Sequence, residues 1–250
     1  MDFLAFRLYA PLASWGEAAV GEHRPSYDYP SRSAIIGLLA AALGIRRHDD
    51  AALAALADSV ATAVAVYSTG KLLRDYHTAQ VPSAKDLKKR PHRTRADELS
   101  VPRRDLNTIL STRDYRQDAL AVVLLWLRRA DRGVSLAQIE QALRTPRFVL
   151  YLGRKSCPPA LPMQPHCVSA DSLAAALAAA QFAPIDGLRD AERVQRMAFE
   201  PDPQVALGWP DATVLVTPRK DEPGSRRRWQ FADRAEHVVL VAPDASEVPA

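Results

Sequence analysis

The chain has 250 residues, of which 48% are hydrophobic and 25% are charged. This composition supports a folded core and excludes a globally disordered protein. The longest uninterrupted apolar stretch, residues 34–45, is too short to cross a bilayer, and the first residues lack the features of a secretory signal. The two cysteines cannot form a disulfide framework. We therefore expect a cytoplasmic protein that does not bind a membrane.

The formal net charge of +4 is unevenly distributed along the chain. Residues 71–118 contain twelve Lys or Arg and seven Asp or Glu, a net charge of +5, so the rest of the chain sums to −1. A basic excess confined to one segment is typical of a surface that binds a polyanion. The chain has no P-loop motif, and its prolines outnumber its glycines, 19 to 10, which argues against a nucleotide-hydrolysing site.

The predicted elements of the first part of the chain are, in order, a strand at 3–10, a helix at 34–43, a short helix at 49–57, and strands at 59–67 and 71–80. Ser31 or Ser33 can cap the first helix, and Gly44 follows it as a C-terminal glycine. That helix is apolar nearly all round, which indicates burial. We expect the last two strands to form a hairpin through a turn at 68–70.

Residues 82–115 contain few large apolar side chains and many cations, so they cannot form a core of their own. We expect this stretch to project from the body of the protein. The elements predicted after it are a strand at 119–127, a helix at 135–144, a strand at 148–152, a helix at 172–180, and short strands at 195–199, 212–217, 228–231 and 237–241.

This order of strands and helices predicts an α+β protein built on a split βαβ, ferredoxin-like core. We expect one domain over residues 1–250, with a basic insertion at 82–116. The short strands of residues 190–250 would form a β-rich appendage or a second small sheet.

Three segments carry a resemblance to a known family: PSRSAIIGLLAAALGI at residues 30–45, LLRDYHT at 72–78 and YLGRKSCP at 151–158. Together with the pair Trp15-Gly16 after the first strand, they resemble the CasD subunits of Cascade, the type I-E CRISPR surveillance complex. These subunits belong to the Cas-five branch of the RAMP proteins. The resemblance implies a modified ferredoxin-like, RRM-like RAMP body with a long β-hairpin thumb.

The same resemblance implies a structural rather than a catalytic role. The chain would bind the 5′ handle of the CRISPR RNA and contact the Cascade backbone subunit and the large subunit that reads the PAM. It would meet target DNA only indirectly, in a complex that provides antiviral defence. No cofactor is implied, and cleavage of the precursor RNA belongs to another subunit.

The first candidate RNA-binding residues flank the predicted buried helix. Ser31, Arg32 and Ser33 stand at its N-terminus, where free N–H groups favour a phosphate. From the residues alone an ordinary serine cap explains this pattern better, whereas the resemblance favours a nucleotide pocket. Arg46 and Arg47 follow the helix, where dipole pairing and a contact to the RNA backbone are compatible.

The predicted strand 71–80 carries the next candidates. Alternation places Arg74, Tyr76 and Thr78 on one face and His77 on the other. An aromatic ring and a cation on one face suit single-stranded RNA, since the ring stacks on a base and the cation holds a phosphate. The alternative is a half-buried tyrosine beside a surface histidine.

The projection and one loop supply the remaining candidates. The predicted basic thumb tip comprises Lys85, Lys88, Lys89, Arg90, Arg93 and Arg95. On the returning side, Arg113, Tyr115 and Arg116 can displace a base at the junction of handle and guide. The basic loop Gly153, Arg154, Lys155 and Ser156 can meet phosphate oxygens, or it is a plain turn with exposed charges. Trp15 and Arg24, in the loop after the first strand, complete the predicted interface.

Two other functions are weighed against this one. A metal-independent endoribonuclease would need a general base near a cation, and His77 with Lys71 or Arg74 is the available combination. A generic RNA-binding protein fits the composition but leaves the three ordered segments unexplained. We expect no metal site, because Cys157, Cys167 and His166 lack a fourth ligand and the usual spacing.

Overall fold

The structure is a computed structural model that describes residues 1–17, 19, 21–88, 93–128, 133–185, 193–225, 228 and 230–241. Its strands are β1 (Asp2–Ala13), β2 (Trp15–Gly16), β3 (His23–Arg24), β4 (Ser26–Tyr27), β5 (Val60–Ser68), β6 (Lys71–Pro82), β7 (Leu106–Leu127), β8 (His166–Ser169), β9 (Arg196–Phe199), β10 (Val214–Pro223) and β11 (Phe231–Leu240). The helices are α1 (Arg32–Leu43), α2 (Asp50–Ser59), α3 (Ala84–Leu87), α4 (Arg95–Glu98), α5 (Leu136–Arg144) and α6 (Leu173–Ala179), with a 3-10 turn at Arg103–Asp105. No helix within the described ranges is long and apolar enough to span a membrane.

One large sheet dominates this mixed α/β structure. Its strands lie in the order β10-β11-β9-β5-β7-β1-β8, while β6 and β3 also pair with β7. All of these pairs are antiparallel except β3 with β7. The succession β1-α1-β5-β7-α5-β8 forms the centre, in the spatial order β5-β7-β1-β8.

Hydrophobic residues cover both faces of the sheet. Alternation along β1 sends Leu4 and Phe6 to the face covered by α1, α2 and α5. Phe3 and Ala5 point to the opposite face, where α6 and residues 194–241 supply the side chains that pack around Trp126. The rings of Phe3 and Trp126 meet edge to face with centroids 5.9 Å apart.

Helix α1 follows the sequence prediction closely. The Ser31 hydroxyl accepts a hydrogen bond from the N–H of Ala34, and Gly44 ends the helix with a φ of +81°. Most side chains between these caps are buried, which confirms the predicted burial. The helix presents its C-terminus and one strip of small residues to the surface, whereas Ser31 and Arg32 at its N-terminus are buried. The N–H of Arg32 donates to Asp221 at 2.8 Å, so the chain itself occupies a group that was predicted to be free for a phosphate.

The predicted hairpin between residues 59–67 and 71–80 is wrong. Strands β5 and β6 instead pair one after the other with the same edge of β7: Val60–Ser68 lies opposite residues 120–127, and Lys71–Pro82 lies opposite residues 106–117. The break between them falls at Gly70, with a φ of +66°, where a Cβ would come within 2.2 Å of the Gln117 carbonyl oxygen. The 22-residue β7 therefore continues from the sheet into a projecting hairpin.

Two further expectations about strands need correction. Residues 148–152 are not a strand, because they run beside α1 instead of joining the sheet. The edge strand next to β1 is β8, a four-residue segment without an apolar run. Strands β9, β10 and β11 do not form a second sheet, because β9 pairs with β5 and continues the first one.

Candidate nucleic-acid interface

Four separate segments meet where the hairpin leaves the sheet. Strand β3 pairs in parallel with β7, which places Arg24 beside Arg113, and Arg113 also lies opposite Asp75 of β6. The loop at residues 153–156 approaches the same place through Arg154. We call this region, formed by β3, the lower part of β6, residues 112–116 and the loop at 153–156, the hairpin base.

Asp114 lies buried at the centre of the hairpin base. Its Oδ1 and Oδ2 accept hydrogen bonds from Nε and Nη2 of Arg74, at 2.8 and 3.1 Å, and Nε2 of His23 lies 3.8 Å from Oδ2. The hydrogen bond from Arg74 lowers the pKa of the Asp114 carboxyl against the opposing effect of burial, and the charges of Arg74, His23 and Arg154 add to it. The same pairing raises the pKa of Arg74. Both groups are therefore ionised at neutral pH.

The Arg154 guanidinium ties the basic loop to this centre. It donates hydrogen bonds to the carbonyl oxygens of Asp114 at 3.1 Å and Arg24 at 3.0 Å. It also lies over the ring of Tyr115, 4.7 Å from the centroid. Tyr115 is only 8% exposed, so its ring is not presented to a base, contrary to the predicted displacement role. The half-buried Arg154 covers this ring.

Gly153 allows this loop to lie against the body. Its φ is +86°, and a Cβ would come within 1.6 Å of the Ser14 carbonyl oxygen. The predicted close backbone approach therefore exists, but its partner is the chain itself. Ser14 in turn donates a hydrogen bond from its Oγ to the Asp114 carbonyl oxygen at 3.0 Å. Lys155 and Ser156 follow in exposed positions.

A groove of about 720 Å³ runs beside α1. Residues from both ends of the helix line it, including Ser31 and Ser33 near the N-terminus and Arg46, Arg47 and His48 beyond the C-terminus. A helix of 12 residues is about 18 Å long, which sets the length of the groove. The opposite wall is the segment 148–153, held by hydrogen bonds from the N–H groups of Arg147 and Phe148 to α1 carbonyls. Gly153 lines the groove, so the groove reaches the hairpin base.

The groove wall presents apolar and aromatic surface. Phe148 and Tyr151 are exposed, and Val149 is 83% exposed. Large apolar side chains at a concave surface beside cations suit the faces of nucleobases. Phe148, Val149 and Tyr151 were not predicted as site residues, because the sequence predicts a sheet strand at 148–152.

Arg32 does not belong to the interface. Only 2% of it is exposed, and its Nε donates to Glu200 at 2.8 Å while its Nη1 lies 3.2 Å from Glu222. Its Nη2 donates to the carbonyl oxygens of Ala57 and Val60. The predicted phosphate contact is therefore wrong for this side chain. A guanidinium with two carboxylates and two carbonyls around it has no room for a phosphate.

Two other predicted residues are less accessible than expected. Trp15 is 4% exposed, so its indole is not available to stack on a base. Its backbone N–H donates to the hydroxyl of Ser26 at 2.9 Å. Arg116 is half-buried on the hairpin base. Its Nε is buried without a hydrogen-bond partner in the described part of the chain.

The two faces of β6 follow the predicted alternation. Tyr76 is 62% exposed, and Arg74 and Thr78 share its face. His77 lies on the other face, where it pairs with Asp75. The described residues of the predicted thumb tip, Lys85, Lys88, Arg93 and Arg95, are all exposed around the short helices α3 and α4. Lys89 and Arg90 lie outside the described residues.

Two central residues of the hairpin base, Asp114 and His23, were not predicted from the sequence. Asp114 was hidden because an acidic residue in a basic segment predicts nothing by itself. His23 lies in a loop without periodicity, and only the pairing of β3 with β7 brings it to Asp114. Within the described ranges, no group of three or more His, Cys, Asp or Glu is placed to hold a metal ion.

Comparisons with known proteins agree with this architecture. The family described as CRISPR-associated protein (Cas_Cas5) matches residues 3–230. The Cascade subunit CasD of Escherichia coli (strain K12) is 36% identical over 167 residues, which cover 63% of this chain and 67% of that protein.

Solved structures give the same result. A chain of a CRISPR RNA-guided surveillance complex superposes with a TM-score of 0.57 at 25% identity, covering 96% of this chain and 89% of that one. A crystal structure of a Cas protein gives a TM-score of 0.56 at 26% identity, covering 95% and 94%. The chain therefore belongs to the Cas5 family of CRISPR-associated proteins.

Proposed function

We propose that this chain is a non-catalytic, RNA-binding subunit of a Cascade-type surveillance complex and that it holds the 5′ handle of the CRISPR RNA. The relatives named above support membership of such a complex. The observation that carries RNA binding is the hairpin base beside an aromatic-walled groove, where separate segments bring cations to both faces of the hairpin. Arg24 and Arg113 lie side by side on one face and Arg74 lies on the other, while Arg154 contacts the carbonyl oxygens of Asp114 and Arg24.

The central order β5-β7-β1-β8 supports the RAMP assignment of the body. A β-α-β-β-α-β succession with its two middle strands paired is the ferredoxin-like arrangement, and the hairpin of β6 with residues 106–117 is its thumb. Residues 106–127 continue from the thumb into the body without interruption.

Within this proposal, the arginines contact phosphates and the groove accepts unstacked bases. Phosphate contacts position an RNA strand, whereas stacking and base-edge contacts in a pocket select it. Arg46 and Arg47 mark one end of the groove, and the hairpin base marks the other. A short single strand lying along α1 would satisfy both ends.

The exposed parts of the hairpin suit the other predicted partners. Tyr76 and the cations around α3 and α4 are exposed on the hairpin, which supports a contact with a backbone subunit or with the large PAM-reading subunit. Target DNA is then met only through these partners. The protein acts in the cytoplasm, where the guide RNA is transcribed.

The geometry gives little support to the endoribonuclease alternative. His77 pairs with Asp75 on the face of β6 opposite to Arg74, so Arg74 is not on its side of the strand. Lys71 shares the face of His77 but lies six residues away, about 20 Å along the strand. Incubation of the purified chain with repeat RNA in EDTA should leave the RNA intact. Specific cleavage that disappears in His77→Ala would establish the enzyme instead.

The direct test uses fluorescence anisotropy with a labelled handle RNA over a range of salt concentrations. Arg113→Gln should weaken binding and reduce the slope of log affinity against log salt by about 0.7, the value for one phosphate contact on a single strand. Arg144→Gln is the matched control, because Arg144 pairs with Glu140 on α5, outside the interface. Equal effects of the two variants, or no binding by the unmodified chain, would refute the proposal.

A further inference from the structure

We propose that Asp114 is a specificity-determining residue. By pairing with Arg74, it weakens the attraction of this arginine for non-specific anions and allows it to bind only phosphates that approach from one direction. This inference rests on the proposed RNA-binding function. Asp114 is a buried carboxylate among cations, at a place where a surface built only for affinity would carry no acid. Attraction of RNA therefore does not explain why a carboxylate occupies this position.

The hydrogen bonds define what Asp114 does to Arg74. A guanidinium has five N–H groups in a planar fork, and Asp114 occupies the edge formed by Nε and Nη2. A phosphate can still bind through the remaining edge, formed by Nη1 and the second N–H of Nη2. The direction of that edge is set by the bidentate pair, because two parallel hydrogen bonds hold the guanidinium plane.

The charges of Arg74 and Asp114 cancel, and this cancellation affects the binding of any polyanion. The ionised pair of Arg74 and Asp114 carries no net charge, so it adds little to long-range attraction. Its directed hydrogen bonds operate only when a phosphate arrives at the open edge. A handle bound in the groove would place a phosphate at the open edge of Arg74. An unrelated strand would not, so Arg74 would contribute little to its binding.

Asp114 also holds neighbouring groups in place. Its carbonyl oxygen accepts hydrogen bonds from Ser14 and Arg154, and its carboxylate lies near His23. These contacts come from the end of β1, the basic loop and β3. The backbone at this position thus stays anchored when the carboxylate alone is changed, which makes Asp114→Asn a suitable probe.

The test measures the affinities of handle RNA and of a length-matched unrelated RNA, each over a salt series. In Asp114→Asn, the released Arg74 should raise the affinity for unrelated RNA roughly fivefold, the worth of one unit-charge contact in water. The salt slope for that RNA should steepen by about 0.7. The preference for the handle should fall by a similar factor.

Three further variants make the result decisive. Glu140→Gln is the control, because it releases Arg144 outside the interface with the same change in net charge and should leave the preference unchanged. Arg74→Gln alone should reduce handle binding and barely change unrelated binding. The double variant Asp114→Asn, Arg74→Gln should return the salt slope for unrelated RNA to its original value.

The outcomes separate the two proposals. If the unmodified chain binds neither RNA, or binds both equally, the proposed function fails. If it prefers the handle and Asp114→Asn keeps that preference, or the steeper slope persists in the double variant, the role assigned to Asp114 is wrong.

Discussion

Replacing Arg32 with alanine tests whether this residue is a structural ion pair or a ligand for RNA. The substitution removes the contacts to Glu200 and Glu222 and the hydrogen bonds to the carbonyl oxygens of Ala57 and Val60. Glu200 then keeps Arg128 and the N–H and hydroxyl of Thr62 as partners. The two buried carbonyl groups lose their cationic donor, and so does the partly exposed Glu222.

The expected loss follows from the burial of these groups. Removing one partner of a buried ion pair costs about 3–5 kcal/mol, because the remaining charge stays desolvated. For a chain of this size, each kcal/mol corresponds to about 2–4 °C in melting temperature. Arg32→Ala should therefore lower the melting temperature by roughly 6–20 °C.

Thermal unfolding followed by circular dichroism measures this directly. Arg104→Ala is the control, since the Arg104 side chain is 86% exposed, and a surface change of this kind stays within about 0.5 kcal/mol. At temperatures where Arg32→Ala is still folded, its affinity for handle RNA should match that of the unmodified chain. A variant that melts normally but no longer binds RNA would show that the buried-pair reasoning is wrong.

Two other predictions concern the hairpin base. Gly153→Ala should lower the free energy of unfolding by about 1–2 kcal/mol because of its positive φ. It should also displace the loop from Ser14, so the affinity for RNA should fall together with the stability. Gly133→Ala is the control in parallel melts: its φ is +77° and the space around it is open, so it should show the loss from the backbone conformation alone. The pKa of Asp114 is lowered in the folded protein, so its contribution to stability is complete above its unfolded pKa of about 3.9 and is lost as the pH falls through the lower folded value. A carbon-detected NMR titration should place the Asp114 midpoint below 3.9, and Arg74→Gln should move it upward; an unchanged midpoint in that variant would contradict the assigned cause.

Several features of the fold could be predicted from the sequence because they depend on neighbouring residues. Ser31 and Gly44 bound α1 because a hydroxyl acceptor and a positive φ act over three or four residues of the same segment. The apolar run at 119–127 became the central part of β7, since a strand covered on both faces needs apolar side chains in both directions. The basic composition of residues 82–115 likewise indicated a projection, because such a segment has too little apolar surface to pack.

Sequence alone also supplied candidate RNA-binding residues, but it did not show which of them reach the surface. Arg32 and Arg74 both lie in segments that carry the family resemblance, yet one is buried and the other is exposed. Glu200 decides the difference for Arg32, and it lies 168 residues away in the chain. For Arg74 the deciding partner is Asp114, which the pairing of β6 with β7 places opposite it.

Charge, caps and apolar periodicity are properties of neighbouring residues, so the chain itself determined a basic projection on a helix-covered sheet. The pairing of β6 with β7, the burial of Arg32 and the cluster around Asp114 were decided only by the tertiary structure. Each of these depends on contacts between residues far apart in sequence. A carboxylate changes the role of an arginine only when the fold brings the two together, because the interaction of charges depends on their distance and on the exclusion of water around them.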